Sequence, residues 1–338
     1  MPSCRCRRAA TFLPVALCAL VLLSSRVLPA ADAASADYLQ LVTRYAEALL
    51  EKGRDVYGEQ HSPLIAITLD RKNMKLFEEK DEEWLFQLRL DDYENWGIRN
   101  GDRVLFGANP QRDQNLYQIL YALSEITGKP RYAAEADRTL SWFFKNCQSP
   151  VTGLFAWGEH LGWHLRTEAV HRSMRAEGQG DRHEHHEFAR PWVLWERSFD
   201  LAPEACVKFA RGLWDNQIAD KGTGDFSRHA GYRKRRVEQG AGFPRHGGFY
   251  IATWAEAYKR TQDPVFLEAI ETLVDHFNRN SDPKTGAIPA GLGTRLRSIM
   301  WPESGLSLAI DLWDGAAKVP AKLAEKMRER ARRTDEVY

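Results

Sequence analysis

Three short stretches of the 338-residue chain hold the side chains best suited to catalysis or metal binding: Trp157-Gly158-Glu159-His160, Glu184-His185-His186-Glu187 and Phe226-Ser227-Arg228-His229-Ala230. Seven of the ten histidines fall between positions 160 and 229. Imidazoles joined by one carboxylate suit a borderline transition metal, whereas calcium prefers an all-oxygen shell. No compact ligand motif such as HExxH is present, and a loop rich in His, Arg and Glu is also the composition of a solvated surface. A second cluster overlaps the third stretch: Arg228, Arg233, Lys234, Arg235, Arg236 and Arg245 place six cations within eighteen residues. Such a strip can hold successive carboxylates, which Arg binds bidentately, or it is a basic face with no partner. Trp157, Trp163 and Trp301 are candidate platforms for sugar rings, Trp157 foremost because it sits beside His160 in the Trp-Gly-Glu-His stretch; Trp192 and Trp195, at helical spacing, read as core. Asp91, Asp92, Glu94 and Glu159 offer the acid and base of a glycoside hydrolase as a competing chemistry.

These stretches are connections in a chain that otherwise reads as helices. Residues 116–146 place apolar side chains at helical spacing, interrupted at Thr127-Gly128-Lys129-Pro130. The same plan returns at 252–280. Aligning Pro130 with Pro264 also aligns Phe143 with Phe277 and Asn146 with Asn280, and each copy runs on into a Thr-Gly pair, Thr152-Gly153 and Thr285-Gly286. Fainter copies surround Pro203 and Pro320, and each proline suits the first turn of a second helix, where its missing N–H costs nothing. Strand patterns are nearly absent apart from a short hairpin expected at 63–77. Units that cannot bury an apolar face alone must stack on their neighbours. The expectation is an all-α fold, an α/α toroid of helical hairpins with room for an incomplete ring. The long loops 147–190 and 220–248 then converge on the site.

Composition narrows the function classes. Lys and Arg number 47 against 46 Asp and Glu, so no basic excess marks a nucleic-acid binder. Eleven Trp and eleven Tyr lean toward carbohydrate. Arg5, Arg7 and Arg8, an apolar run over 12–23 and Ala31-Asp32-Ala33 read as a secretory signal, giving a mature chain 34–338 that forms a single catalytic domain without a membrane span. The expected location is periplasmic or secreted. Cys4, Cys6 and Cys18 leave with the signal; Cys147 and Cys206 remain, either bridged or as two buried thiols.

The segments NCQSPVTGLFAWGEHLGWHL, EHHEFARPWVLWERSFD and DFSRHAGY, in this order on a helical plan, resemble the family 2 polysaccharide lyases, the pectate disaccharide-lyases, over about residues 116–255. The resemblance implies an α/α toroid and a divalent transition metal (Mn, Co or Ni). It also implies a pectate or oligogalacturonate substrate. Carried over position by position, it implies His160, Glu187 and His229 as ligands and Arg228 as the base. This chain is shorter than the family pattern and carries extra loop over 167–182. In the implied reaction a base removes the C5 proton beside the uronate carboxylate and the C4 oxygen leaves. An arginine base requires a desolvated, cationic setting, because an ordinary guanidinium holds its proton to beyond pH ~12. Lys234 is the easier base by this criterion. Trp157, Arg233, Lys234 and Arg245 are the expected substrate contacts. A toroid glycoside hydrolase acting on unsaturated uronides and a non-catalytic glycan-binding protein are the competing functions.

Overall fold

A computed structural model describes residues 30–78, 106–159, 161–172, 185–188 and 191–338. Most of the expected signal, and Asp91, Asp92, Glu94, His160 and His183, lie outside these residues. The chain divides into two units, Met1–Leu41 and Val42–Tyr338. That division falls eight residues beyond the expected mature terminus, within the first helix, α1 (Ala30–Lys52). Among the described residues no helix is long and apolar enough to cross a membrane.

Among the described residues the second unit holds four helical hairpins in succession. They are α2 (Gln114–Thr127) with α3 (Arg131–Asn146), α4 (Trp195–Leu201) with α5 (Pro203–Asn216), α6 (Pro244–Thr261) with α7 (Pro264–Asn280), and α8 (Pro302–Ala316) with α9 (Ala321–Val337). All four expected prolines stand where the second helix begins, Pro203 and Pro264 inside its first turn and Pro130 and Pro320 just before it. The periodic residues of the first hairpin face inward: Leu116, Leu120 and Leu123 of α2, and Tyr132, Ala136, Leu140 and Phe143 of α3, are buried. The first helices α4, α6 and α8 pack in succession, and so do the second helices α3 with α5 and α7 with α9. This two-layered succession is the α/α toroid plan. No extensive packing among the described elements joins α8 or α9 back to α2 or α3.

A small repeated turn follows three of the hairpins. In residues 149–153 the Ser149 hydroxyl accepts the N–H groups of Val151 and Thr152, and Gly153 N–H bonds the Ser149 carbonyl at 3.1 Å. Asp282 does the same for Lys284 and Thr285, with Gly286 N–H on its carbonyl at 2.8 Å. A third copy, unrecognised from the sequence, has Asp220 accepting from Gly222 and Thr223 while Gly224 N–H closes the turn at 2.8 Å. The closing glycines have φ of 73°, 69° and 77° in chain order, the left-handed region that favours glycine.

Short strands occupy the connections. β1 (Gly107–Ala108), β2 (Leu161–His164) and β3 (Ala169–Arg172) form one antiparallel sheet; β4 (His185–Glu187) pairs with β7 (His229–Gly231); β5 (Ile218–Asp220) pairs with β6 (Asp225–Phe226). The expected hairpin at 63–77 is reduced to isolated bridges, Asp70 with Lys75 and Arg54 with Ile65. Trp157 corrects an expectation: it is fully buried, packed against Phe143, Phe144, Phe155, Trp192, Trp195 and Phe209, so it serves the core and presents no face to a sugar. Cys147 and Cys206 are both buried free thiols, and burial pushes both above the ordinary thiol value.

Candidate functional site

The first segment is pinned by a residue absent from the sequence argument. Asn109, buried just after β1, donates from Nδ2 to the carbonyls of Gly158 and Leu161 at 2.6 and 2.8 Å, and its Oδ1 accepts the Gly158 N–H. One asparagine thus ties together the two flanks of position 160. Glu159 faces Arg112 at 3.5 Å, an ion pair that neutralises it. His164 is structural: its Nδ1 accepts the N–H groups of Arg166 and Thr167, both at 3.1 Å, and so closes the turn between β2 and β3.

The second and third segments meet in the β4–β7 ladder. Its register opposes Glu187 directly to His229, and directly opposed residues of an antiparallel pair have Cα atoms about 4.5–5.5 Å apart. Two of the three ligands implied by the resemblance are therefore cross-strand partners, drawn from positions forty-two residues apart. His229 is fixed on both sides. Its N–H donates to Ser227 Oγ at 3.1 Å, and that hydroxyl donates to the His229 carbonyl at 2.5 Å. Its ring Nδ1 lies 3.2 Å from Glu238 Oε2. A carboxylate on one ring nitrogen is how metal-bound histidines are commonly oriented, with ligation through the other; here that would be Nε2. The hydrogen bond from His229 is the chief cause that draws the Glu238 carboxyl down to about 2.

Of the three ligands implied by the resemblance only the His229 side chain is described, and its imidazole, with Glu238 on Nδ1, is a donor that a transition ion accepts. Among the described residues no three His, Cys, Asp or Glu side chains gather into a metal-holding group, and His160 and the Glu187 side chain lie outside them.

Arg228, beside His229, is partly buried. Its Nη1 donates to the Ala241 carbonyl at 2.8 Å, and its guanidinium lies 4.3 Å from the centre of the Phe243 ring. Arg245 approaches the same ring at 4.9 Å, and Trp301 meets it edge-on at 5.0 Å. Phe243 thus gathers Arg228, Arg245 and a partly exposed indole without any signal in spacing. The rest of the basic run disperses. Arg235 is structural, donating to the carbonyls of Asp215 and Ile218, and Arg236 faces Glu238 at 3.8 Å, while Arg233 and Lys234 are exposed. The 149–153 turn is coupled to this loop, because the hydroxyls of Ser149 and Thr152 both donate to the Tyr232 carbonyl, at 2.5 and 3.1 Å.

Residues 88–245 match the family described as "Periplasmic pectate lyase". A relative named pectate disaccharide-lyase from Dickeya dadantii (strain 3937) is 27% identical over 171 residues, which is 51% of this chain and 30% of the relative. The chain thus aligns with less than a third of the length of the curated relative it matches. Among solved structures, an unsaturated glucuronyl hydrolase specific for heparin superposes with a TM-score of 0.46 at 14% identity, covering 89% of this chain and 84% of that one. The unsaturated glucuronyl hydrolase from Bacillus sp. GL1 gives 0.47 at 12% identity, over 88% and 83%.

Proposed function

We propose that this chain is a polysaccharide lyase that cleaves polygalacturonate by metal-assisted β-elimination in the periplasm or outside the cell, releasing short unsaturated oligouronides. The observation that carries the reading is the β4–β7 register, which opposes Glu187 to His229 with Arg228 next in the chain. It lies inside the matched span, residues 88–245.

In this reading His160, Glu187 and His229 would hold a divalent transition ion (Mn, Co or Ni), which when bound would supply a Lewis acid for the uronate carboxylate and so stabilise the charge that develops when C5 loses its proton, an effect worth roughly several kcal/mol. Arg228, entering the step as the neutral guanidine, takes that proton and becomes the guanidinium. The electron pair of the C5–H bond forms the C4–C5 double bond, the C4–O bond breaks with its electron pair going to the sugar oxygen, and that departing oxygen takes a proton from water. Phe243 keeps water from one face of the Arg228 guanidinium and the Ala241 carbonyl fixes its direction. Arg245, on the same ring and 3.9 Å from Glu303, would meet a neighbouring carboxylate, and the exposed Arg233 and Lys234 would extend the cationic surface.

The test is incubation of the purified protein with polygalacturonate and Mn²⁺, Co²⁺ or Ni²⁺, followed by near-ultraviolet absorbance. Elimination creates a conjugated double bond and a rising signal. New reducing ends without that signal would replace the lyase by a hydrolase, and retention on a polyuronate gel with neither would leave a binding protein.

A further inference from the structure

The Arg228–His229 pair is not held by its strand alone. Behind it Ser227, Gln217 and Tyr250, all completely buried, form a closed polar ring. Ser227 N–H donates to the Gln217 carbonyl at 2.8 Å, Gln217 Nε2 donates to the Tyr250 hydroxyl at 2.9 Å, and that hydroxyl donates to the Ser227 carbonyl at 2.9 Å. Both peptide groups flanking the Ser227 Cα are thereby fixed, and the Ser227 hydroxyl in turn grips both backbone groups of His229. Gln217 closes helix α5 and Tyr250 lies in α6, so the ring ties the site to the two hairpins on either side of it.

The ring is poorly suited to being mere filling. Gln217 Oε1 is buried with no hydrogen-bond partner among the described residues. A buried acceptor left unpaired opposes folding, and an apolar residue of the same shape would avoid that cost. What the polar ring adds is direction. The amide presents its N–H to the phenol, which leaves the phenol proton for the Ser227 carbonyl.

We infer that Tyr250, with Gln217, is a positioning residue of the site: it sets the backbone on which Arg228 and His229 are aimed. The inference rests on the reading of those two residues given above. Tyr250→Phe tests it, since the ring contacts with Phe226 and Trp254 remain and only the hydroxyl is lost. Tyr132→Phe is the control, removing an equally buried hydroxyl that donates to Glu47 and accepts from Arg131, both far from the site in the chain.

In the metal-free full chain, Tyr250→Phe should release amide-exchange protection across 227–231 while the same segment in Tyr132→Phe stays as in the parent. Titrated with Mn²⁺ alone, Tyr250→Phe should bind about tenfold more weakly, and its turnover at saturating polygalacturonate should fall about tenfold with KM little changed. Tyr132→Phe should match the parent in both. Unchanged exchange in Tyr250→Phe overturns the inference. Parental Mn²⁺ affinity and turnover in that variant also overturn it and leave the lyase reading standing. A parent that neither binds Mn²⁺ nor forms the double bond overturns the lyase reading itself and the purpose assigned to the ring with it.

Discussion

A histidine that ligates through one ring nitrogen is oriented by whatever the other nitrogen bonds, and at His229 that partner is Glu238. Glu238→Gln keeps the shape and removes the charge, so metal affinity should fall about 10–100-fold while helicity is unchanged; calorimetric titration with Mn²⁺ checks it. The depressed Glu238 carboxyl also fixes a sign. A group lower in the folded state than its ordinary 4.5 supports folding above that value and loses the contribution as pH falls toward about 2. With 42% of the side chain exposed, screening keeps that contribution small. For Arg228 the expected outcome is division of labour. Arg228→Ala should lose nearly all turnover at saturating substrate with normal metal content, and Arg228→Lys should recover part of it at higher pH, where a neutral amine becomes available. If Arg228→Ala keeps parental saturated turnover, the arginine only anchors a carboxylate and Lys234 inherits the base role. The sequence announces Arg228 and His229 because they are adjacent and of unusual type. It does not announce Glu238, Asn109 or Phe243, whose relation to them exists only after loops fold back. Trp157 misleads for the same reason: its aromatic neighbours come from separate helices and loops, and nothing local distinguishes an indole inside that cluster from one outside it.

At the scale of elements, the four hairpins are legible because helical periodicity and a proline at the second helix repeat together. The strands are not, since two to four residues are too few for alternation to register. The Thr-Gly turn is half legible: two copies stand in equivalent places after aligned hairpins, whereas Thr223-Gly224 follows a hairpin whose first helix has only seven residues. The turn glycines separate two costs. Gly128, which ends α2 at φ 67°, has open space where a Cβ would go, so Gly128→Ala should cost only the left-handed strain of about 1–2 kcal/mol. A Cβ on Gly224 would come within 2.7 Å of the Thr272 carbonyl oxygen and 2.9 Å of His276 Cβ. Gly224→Ala should therefore add overpacking of about 1–3 kcal/mol to the same strain. Urea midpoints of the two variants check the order; equal losses would mean the packing yields freely.

For the molecule as a whole, stability against pH should carry the signature of Asp311. It is buried between α8 and α6, where Gly248 packs against it, and its Oδ2 has no hydrogen-bond partner among the described residues. Burial, aided by Asp314 and opposed by Lys318, raises its carboxyl to about 8. Between the ordinary value of 3.8 and about 8 the folded chain holds a proton that the unfolded chain has released, so stability falls as pH rises through that window. Asp311→Asn should flatten this fall, gaining more at pH 8 than at pH 5 in denaturant melts; a parallel offset at both would assign the effect to packing. The two thiols offer a different kind of reading. Cys147 ends the first hairpin and Cys206 lies in α5 of the second, each sealed from solvent and kept from ionising by the same burial. A thiol reagent can therefore reach them only in the instants when these hairpins come apart. The natural chain contains its own stopwatch: matching labelling rates would show the first two hairpins opening as one body, and a faster Cys147 would show the chain unpeeling from its first hairpin.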